Sequence, residues 1–395
     1  MNRQTLFIIS SGFLTVSIAY AIRYGYGILL PEMLSPLGIS KTEAGIIYAS
    51  YFFAYTLFSP FLGRMSDRCN IRFLLTFFTA VLGLGAFLMA WASSVFTAAL
   101  FFTIAGIGHA ACWSPVMALV QRQVPDHRRG MALAFTTMGS AVGIAGWSLC
   151  LPLIVADSGW QYGWISMGIF GFCVAGMNCV LIRDTSDQKR INPGETLFIS
   201  YRKLLKERIL WIIGFSYLLT GFVVLVPFTF LTVYAREELG LSYAVSTGFI
   251  AVISICGMAG KLLLGILSDS LGRIRVMILC SLCMGAGCCG MAYGREPFFL
   301  YGCAALFGLG FGAVWPVYAA AAPDFFPKNI SGSVIGLWTL FLGAGSIVSP
   351  VICGWTIDHS GSYTRAFLLG GVGSGLSVLC LLPGLKRLCP VSSPT

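Results

Sequence analysis

Charge is scarce in this chain of 395 residues, and acidic charge scarcest, with 15 Asp and Glu against 25 Lys and Arg. Charged residues make up 10% of the sequence, where a soluble domain carries about 25%. With 57% apolar residues beside that, an ordinary water-covered surface is excluded. Catalytic signatures are missing too. There is no Walker-type phosphate loop, no nucleophile elbow and no metal-ligand spacing, and the three histidines are scattered. No cofactor, metal or catalytic residue is therefore expected, and the chain reads as something other than an enzyme. Cysteine is present but misplaced for a disulfide scaffold. Most of the fourteen lie in apolar stretches, where the residue is a small apolar filler.

What is present is long apolar runs. A helix needs about 20 apolar residues to cross the hydrocarbon, and twelve such stretches can be marked. They fall near 7–31, 43–62, 73–91, 96–120, 129–156, 160–182, 209–233, 243–265, 275–293, 297–322, 331–356 and 366–385. Lipid offers backbone groups no partner, so the spans are expected to be helices. The first has no small-residue cleavage site and is expected to be a retained span.

The chain also repeats itself at an offset of 202 residues. Gly63 and Asp67 recur as Gly265 and Asp269; Gly106, Gly108 and Trp113 recur as Gly308, Gly310 and Trp315. Pro125, Gly130 and Gly143 recur as Pro327, Gly332 and Gly345. One register across four segments predicts two pseudo-symmetric six-helix halves, 1–182 and 209–395, joined by a connector at 183–208. In a membrane protein, such a repeat points to a transporter with its site between the halves.

Orientation follows from Lys and Arg. With the N-terminus inside, cytoplasmic segments hold nineteen and external loops four: Lys41, Arg236, Arg295 and Arg365. That asymmetry predicts a multi-pass protein of the cell (inner) membrane with both termini cytoplasmic. The net charge of +10 is then mostly topology signal, and no nucleic-acid partner is expected. The run Tyr201–Arg208 in the connector reads as a surface helix near the anionic leaflet or as a plain solvated linker.

The loops carry a family resemblance. After the second span stand Gly63, Asp67, Arg68 and Arg72; after the eighth stand Gly265, Asp269, Gly272, Arg273 and Arg275. Glycine, aspartate four residues on, then a basic turn, resembles the loop signature of the major facilitator superfamily. The resemblance implies an all-α membrane fold of twelve helices and assigns Gly63, Asp67, Arg68, Gly265, Asp269 and Arg273 to gating loops. Physically, the glycine would permit close helix approach and the aspartate would cap a neighbouring helix N-terminus. The fifth span, Gly139 through Gly143 to Gly146, echoes the family's fifth-helix signature, and it also suits small-residue packing.

Substrate class rests on charges that do not belong in lipid. Two cations remain inside spans, Arg23 and Lys261, and no carboxylate lies comparably deep. An intramembrane charge costs at least about 2.5–3.5 kcal/mol and so usually faces a cavity. Two cations without acids favour an anionic substrate. Arg23 lies eight residues before Pro31, about 12 Å at helical rise, too far to snorkel comfortably. Lys261 lies four residues before Gly265, near enough for its stem to reach the headgroups. His109, mid-span, is expected to carry the coupling proton or donate to substrate, or else to be a satisfied packing histidine. Tyr24 and Tyr26 offer hydroxyls to a carboxylate. The symmetric Trp113 and Trp315 suit either core packing or aromatic cavity walls.

Lys261-Leu-Leu-Leu-Gly265 is similar to the eighth helix of monocarboxylate transporters and oxalate–formate exchangers, which implies a carboxylate-binding role for Lys261. Where the exchangers have an eleventh-helix lysine this chain has Trp338 and Thr339, so Trp338 joins the candidate walls. The expected function is secondary transport of a small organic anion, a carboxylate first, by proton symport or anion exchange, and by a monomer. A proton-coupled drug or metabolite exporter and a non-transporting membrane sensor are the alternatives.

Overall fold

The computed structural model describes residues 3–66, 69–124, 126–182, 204–327 and 330–385. Among them there are helices and no strands. The helices are α1 (Arg3–Leu37), α2 (Lys41–Met65), α3 (Ile71–Met89), α4 (Val95–Ala110), α5 (Ser114–Gln123), α6 (Asp126–Ser158) and α7 (Trp160–Leu181). The second set is α8 (Arg208–Glu237), α9 (Tyr243–Leu271), α10 (Arg273–Tyr293), α11 (Pro297–Phe325), α12 (Ser331–Ser360) and α13 (Tyr363–Leu385). Twelve spans are long and apolar enough to cross a membrane, with α4 and α5 sharing one. The repeat is visible in the boundaries. Lys41 and Tyr243, Ile71 and Arg273, Val95 and Pro297, and Ser158 and Ser360 all sit 202 residues apart.

Most helices outrun the apolar stretches that announce them, because local chemistry sets their ends. Ser40 and Glu43 form a capping box at the start of α2, and the Asn70 side chain accepts from the first turn of α3. Gly159 (φ 87°) and Gly272 (φ 89°) turn the chain in a conformation side chains rarely adopt. The fourth span breaks at 111–113, where Pro115 cannot donate and its ring opposes the Ala111 carbonyl four residues earlier. Its repeat mate α11 runs unbroken through Pro316. Of the basic connector, Leu204–Glu207 makes a turn closed by Glu207 N–H to Leu204 O (3.0 Å). The rest of that run, 201–203, lies outside the described residues.

By proximity the chain forms two compact units. The first holds Met1–Ile191 with Phe228–Ser254 and Pro350–Gly361; the second holds Asn192–Pro227, Ile255–Ser349 and Ser362–Thr395. Within the first, small residues let backbones touch, the usual device where lipid supplies no hydrophobic drive. A Cβ added at Gly143 on α6 would lie 2.1 Å from the Ser17 carbonyl oxygen on α1, and one at Gly139 2.4 Å from that of Phe13. Gly106 on α4 meets the Tyr51 carbonyl of α2 in the same way, at 2.4 Å. Asn178 of α7 is tied to Ser11 and to Thr15 (2.9 Å) of α1, and to Thr79 (3.4 Å) of α3. The second unit repeats the pattern. A Cβ at Gly345 would lie 1.9 Å from the Leu218 carbonyl. Ser281, 202 residues beyond Thr79, bonds to Ser377 (3.1 Å), which reaches Ser216 (2.8 Å) and through it Tyr318 (2.6 Å).

At one end of the first unit, the close of α8, the start of α9 and the end of α12 pack on α1 and α2. The Asp358 carboxylate on α12 accepts from the backbone N–H groups of Lys41 (3.1 Å) and Thr42 (2.8 Å) and from the Thr42 hydroxyl. Lys41 pairs with Glu237 (2.6 Å) and Arg236 with Glu32 (3.1 Å). Tyr243 Oη donates to the Ile28 carbonyl (2.9 Å). Glycine contacts tighten the seam, for a Cβ at Gly354 would lie 2.2 Å from Lys41 O and one at Gly45 2.3 Å from Pro350 O.

Candidate substrate site

The site grows from two helical spacings. On α1, Tyr20, Arg23 and Tyr24 stand at i, i+3 and i+4, and on α2, Tyr48, Tyr51, Phe52 and Tyr55 stand at i, i+3, i+4 and i+7. Each set therefore shares one helix face. The Arg23 guanidinium, 3% exposed, is enclosed by aromatic rings. Its Cζ lies 4.2 Å from the Tyr55 centroid, 5.0 Å from Tyr20, 5.2 Å from Phe52 and 5.7 Å from Tyr51. Ring faces attract a desolvated cation by roughly 0.5–2 kcal/mol each. The guanidinium also reaches the hydroxyls of Tyr24 and Tyr51, while its Nε and Nη2 have no partner among the described residues.

His109, at the end of α4, enters the same box. Its Nδ1 is 2.5 Å from Tyr51 Oη. Its ring lies 5.1 Å from Tyr55 and 5.3 Å from Tyr20. The imidazole also lies against the Ala19 backbone carbonyl of α1, and Nε2 is buried with no closer hydrogen-bond partner among the described residues. If Nδ1 accepts from Tyr51, Nε2 presents an N–H; in the other tautomer it presents a lone pair. Arg23 and His109 thus share Tyr20, Tyr51 and Tyr55, with two guanidinium nitrogens unsatisfied among the described residues. Burying such groups unpaired costs about 1–3 kcal/mol each, more for charged ones, which is why they read as a site awaiting a ligand. Trp113 stands beside Tyr20 (5.8 Å). Charged partners stay elsewhere. Ion pairs among the described residues include Lys41–Glu237, Arg236–Glu32, and Arg273 with Asp269 and Asp324, all at helix ends.

The other candidates are distributed. Tyr24 is buried with its ring 4.1 Å from Phe228. The Tyr26 hydroxyl, expected to face a carboxylate, donates instead to the Ala44 carbonyl (2.8 Å) and ties α1 to α2. The Trp338 indole N–H donates to the Leu210 carbonyl (3.0 Å) and its ring meets Phe326, so it packs α12 against α8. Trp315 is half-buried against Phe311 (5.1 Å). Lys261 is half-buried on α9 in the second unit.

Of the loop residues, Asp67 and Arg68 lie outside the described residues. The two loop glycines do not serve close approach among the described residues: a Cβ at Gly63 would meet only Ser114 at 4.0 Å, and one at Gly265 nothing within 4 Å. Asp269 pairs with Arg273 four residues on (2.6 Å), which also holds Asp324 of α11 (2.9 Å). The first-half mate of Asp324 is Arg122, whose Nη1 donates to the Ser66 carbonyl (2.9 Å). Sequence reasoning missed Tyr20, Tyr51, Phe52 and Tyr55, although their i, i+3, i+4, i+7 spacing around the one deep arginine was a usable signal. Among the described residues, no cluster of His, Cys, Asp or Glu could hold a metal.

Helices of this length and apolarity, duplicated six by six, define the class as a multi-pass membrane protein with an internal repeat. Residues 12–273 and 251–391 match the Major Facilitator Superfamily, and the chain belongs to that family. It is 26% identical over 430 residues to the probable galactarate/D-glucarate transporter GudP of Bacillus subtilis, covering 97% of this chain and 92% of that one. It is 24% identical over 368 residues to the gentisate transporter of Corynebacterium glutamicum, covering 90% and 82%. Among solved structures, the nucleoside transporter NupG superposes with a TM-score of 0.79 at 15% identity, over 98% of this chain and 99% of that one. That likeness is one of fold. The curated relatives transport small organic anions and are not enzymes.

Proposed function

We propose that this chain is a secondary active transporter of a small organic anion, with a carboxylate the first candidate, working by alternating access of its two six-helix halves, 1–182 and 209–395. The observation that carries the reading is the buried Arg23 with two unpartnered nitrogens and, among the described residues, no carboxylate beside it. An anion supplies the missing partner, and a guanidinium grips a carboxylate through two parallel N–H groups. Lys261 from the second half adds a second positive charge. His109 holds the coupling proton or donates to the bound anion, with anion exchange as the other mode. The loop residues Gly63, Asp67, Arg68, Gly265, Asp269 and Arg273 serve the gate. The protein works as a monomer in the cell (inner) membrane, termini in the cytoplasm. The relatives' anionic substrates support this reading.

Uptake by proteoliposomes of a radiolabelled carboxylate panel, with and without a pH gradient, tests it. Arg23→Gln and Lys261→Gln are each expected to abolish uptake while leaving expression intact, and His109→Phe to uncouple uptake from the gradient while exchange persists. Full carboxylate transport by the Arg23→Gln, Lys261→Gln double variant refutes the proposal. Cation transport by the native protein moves the assignment to an exporter.

A further inference from the structure

Resting on the anion-transport reading, the chemistry around Arg23 points further, to the body of the anion. We infer that the substrate is an aromatic carboxylate of the hydroxybenzoate class rather than a polyhydroxylated sugar acid.

The first observation is the lining. Arg23 is enclosed by Tyr20, Tyr51, Phe52 and Tyr55, with the His109 ring in the same box and Trp113 beside Tyr20. When an anion takes up the guanidinium's free N–H groups, the same rings present flat faces and edges next to its carboxylate. A planar ring carboxylate fills such a box by offset stacking and edge contacts.

The second observation is what the helices withhold. Every Asp, Glu, Asn and Gln in the helices lies within five residues of a helix end. The interiors therefore offer no carboxylate or carboxamide, the groups that pair with neighbouring hydroxyls on a polyol. The Asn178 side chain, near the end of α7, is already bonded to Ser11, Thr15 and Thr79. Beside Arg23 and His109, the hydrogen-bonding groups near the box are tyrosine hydroxyls, the buried Thr56 hydroxyl next to Tyr55 and the Cys112 thiol. One of them, Tyr48 Oη, is buried without a partner one turn from Phe52. That inventory can satisfy a carboxylate and one or two ring hydroxyls. Single hydroxyls spread over ring tips suit that pattern better than a chain of adjacent hydroxyls, and each hydroxyl left unpaired in an apolar pocket is disfavoured by up to about a hundredfold. The two relatives bracket the choice, since one is named for galactarate and D-glucarate and the other for gentisate, a dihydroxybenzoate.

The test uses the full chain in proteoliposomes with labelled 2,5-dihydroxybenzoate, 4-hydroxybenzoate, D-glucarate, D-glucuronate and pyruvate, each alone and in competition. The expected result is saturable uptake of a hydroxybenzoate, competed at least tenfold better by another aromatic acid than by glucarate or pyruvate. Tyr55→Leu should weaken hydroxybenzoate binding about tenfold. Native selectivity decides the matter if that variant folds poorly. Saturable uptake of glucarate, glucuronate or pyruvate in preference to both aromatic acids overturns the inference and leaves the anion reading standing. Uptake of none of the five, together with transport of a cation, overturns both.

Discussion

The Asp358 contact with the start of α2 can be probed atom by atom. The first N–H groups of a helix have no intrahelical acceptor. In α2 those of Lys41 and Thr42 are taken by Asp358, whereas that of Glu43 goes to Ser40 Oγ and that of Ala44 to the Ser40 carbonyl. A carboxylate at a helix N-terminus contributes about 0.3–1 kcal/mol when exposed and up to about 2 kcal/mol in partly buried geometry. Asp358 is exposed, so solvent screening trims the dipole contribution, while its charge-assisted bonds to two N–H groups and the Thr42 hydroxyl bring the total to the upper part of that range. Asp358→Ala should therefore cost about 1–2 kcal/mol locally, a factor of roughly 5–30 in the opening equilibrium. Residue-resolved hydrogen exchange reads this directly. Lys41 and Thr42 should exchange about 5–30 times faster in the variant, while Glu43 and Ala44 hold their protection. Asp358→Asn keeps one acceptor oxygen and should fall between. Unchanged exchange at Lys41 and Thr42 would refute the cap, and equal acceleration at all four positions would show fraying of the whole turn instead.

Two further substitutions test the packing. Gly143→Ala drives a methyl to 2.1 Å from the Ser17 carbonyl, while at Gly146 nothing lies within 4 Å. Gly143→Ala should therefore cost about 1–3 kcal/mol and lower the melting temperature of the purified protein, with Gly146→Ala unchanged; equal melting of the pair would discount the α1–α6 contact. Asn178→Leu leaves the Ser11, Thr15 and Thr79 hydroxyls without their amide. At roughly 0.6–2 kcal/mol per bond in a membrane, stability should drop by about 2–6 kcal/mol in a reversible unfolding assay.

The twelve spans were legible because lipid demands long apolar helices and a duplication shows itself twice. Their ends were less so, since hydropathy is blind to caps such as Ser40–Glu43 and to α12 running on to Asp358. Arg23 and His109 stood out as charge and imidazole inside apolar runs, yet their shared enclosure depended on tyrosines from a second helix. Aromatic residues in a membrane span look like filler until their spacing is set against the cation they surround. Tyr26 and Trp338 misled for the opposite reason, because a polar tip on a large ring is spent on the nearest carbonyl as readily as on a ligand. The loop glycines failed for a further reason, as a family pattern names a position without saying which neighbour it meets.

The interruption of the fourth span has a mechanical consequence. Above the break, α4 holds His109 in the aromatic box; below it, α5 carries Arg122, which grips the Ser66 carbonyl at the foot of α2. An unbroken rod would transmit every tilt of its foot to its head. A rod jointed at Cys112 and Trp113 lets the foot swing with the loop while the imidazole keeps its place. Its counterpart α11 has no such joint. The duplicated fourth and tenth spans have thus diverged, one interrupted and one continuous.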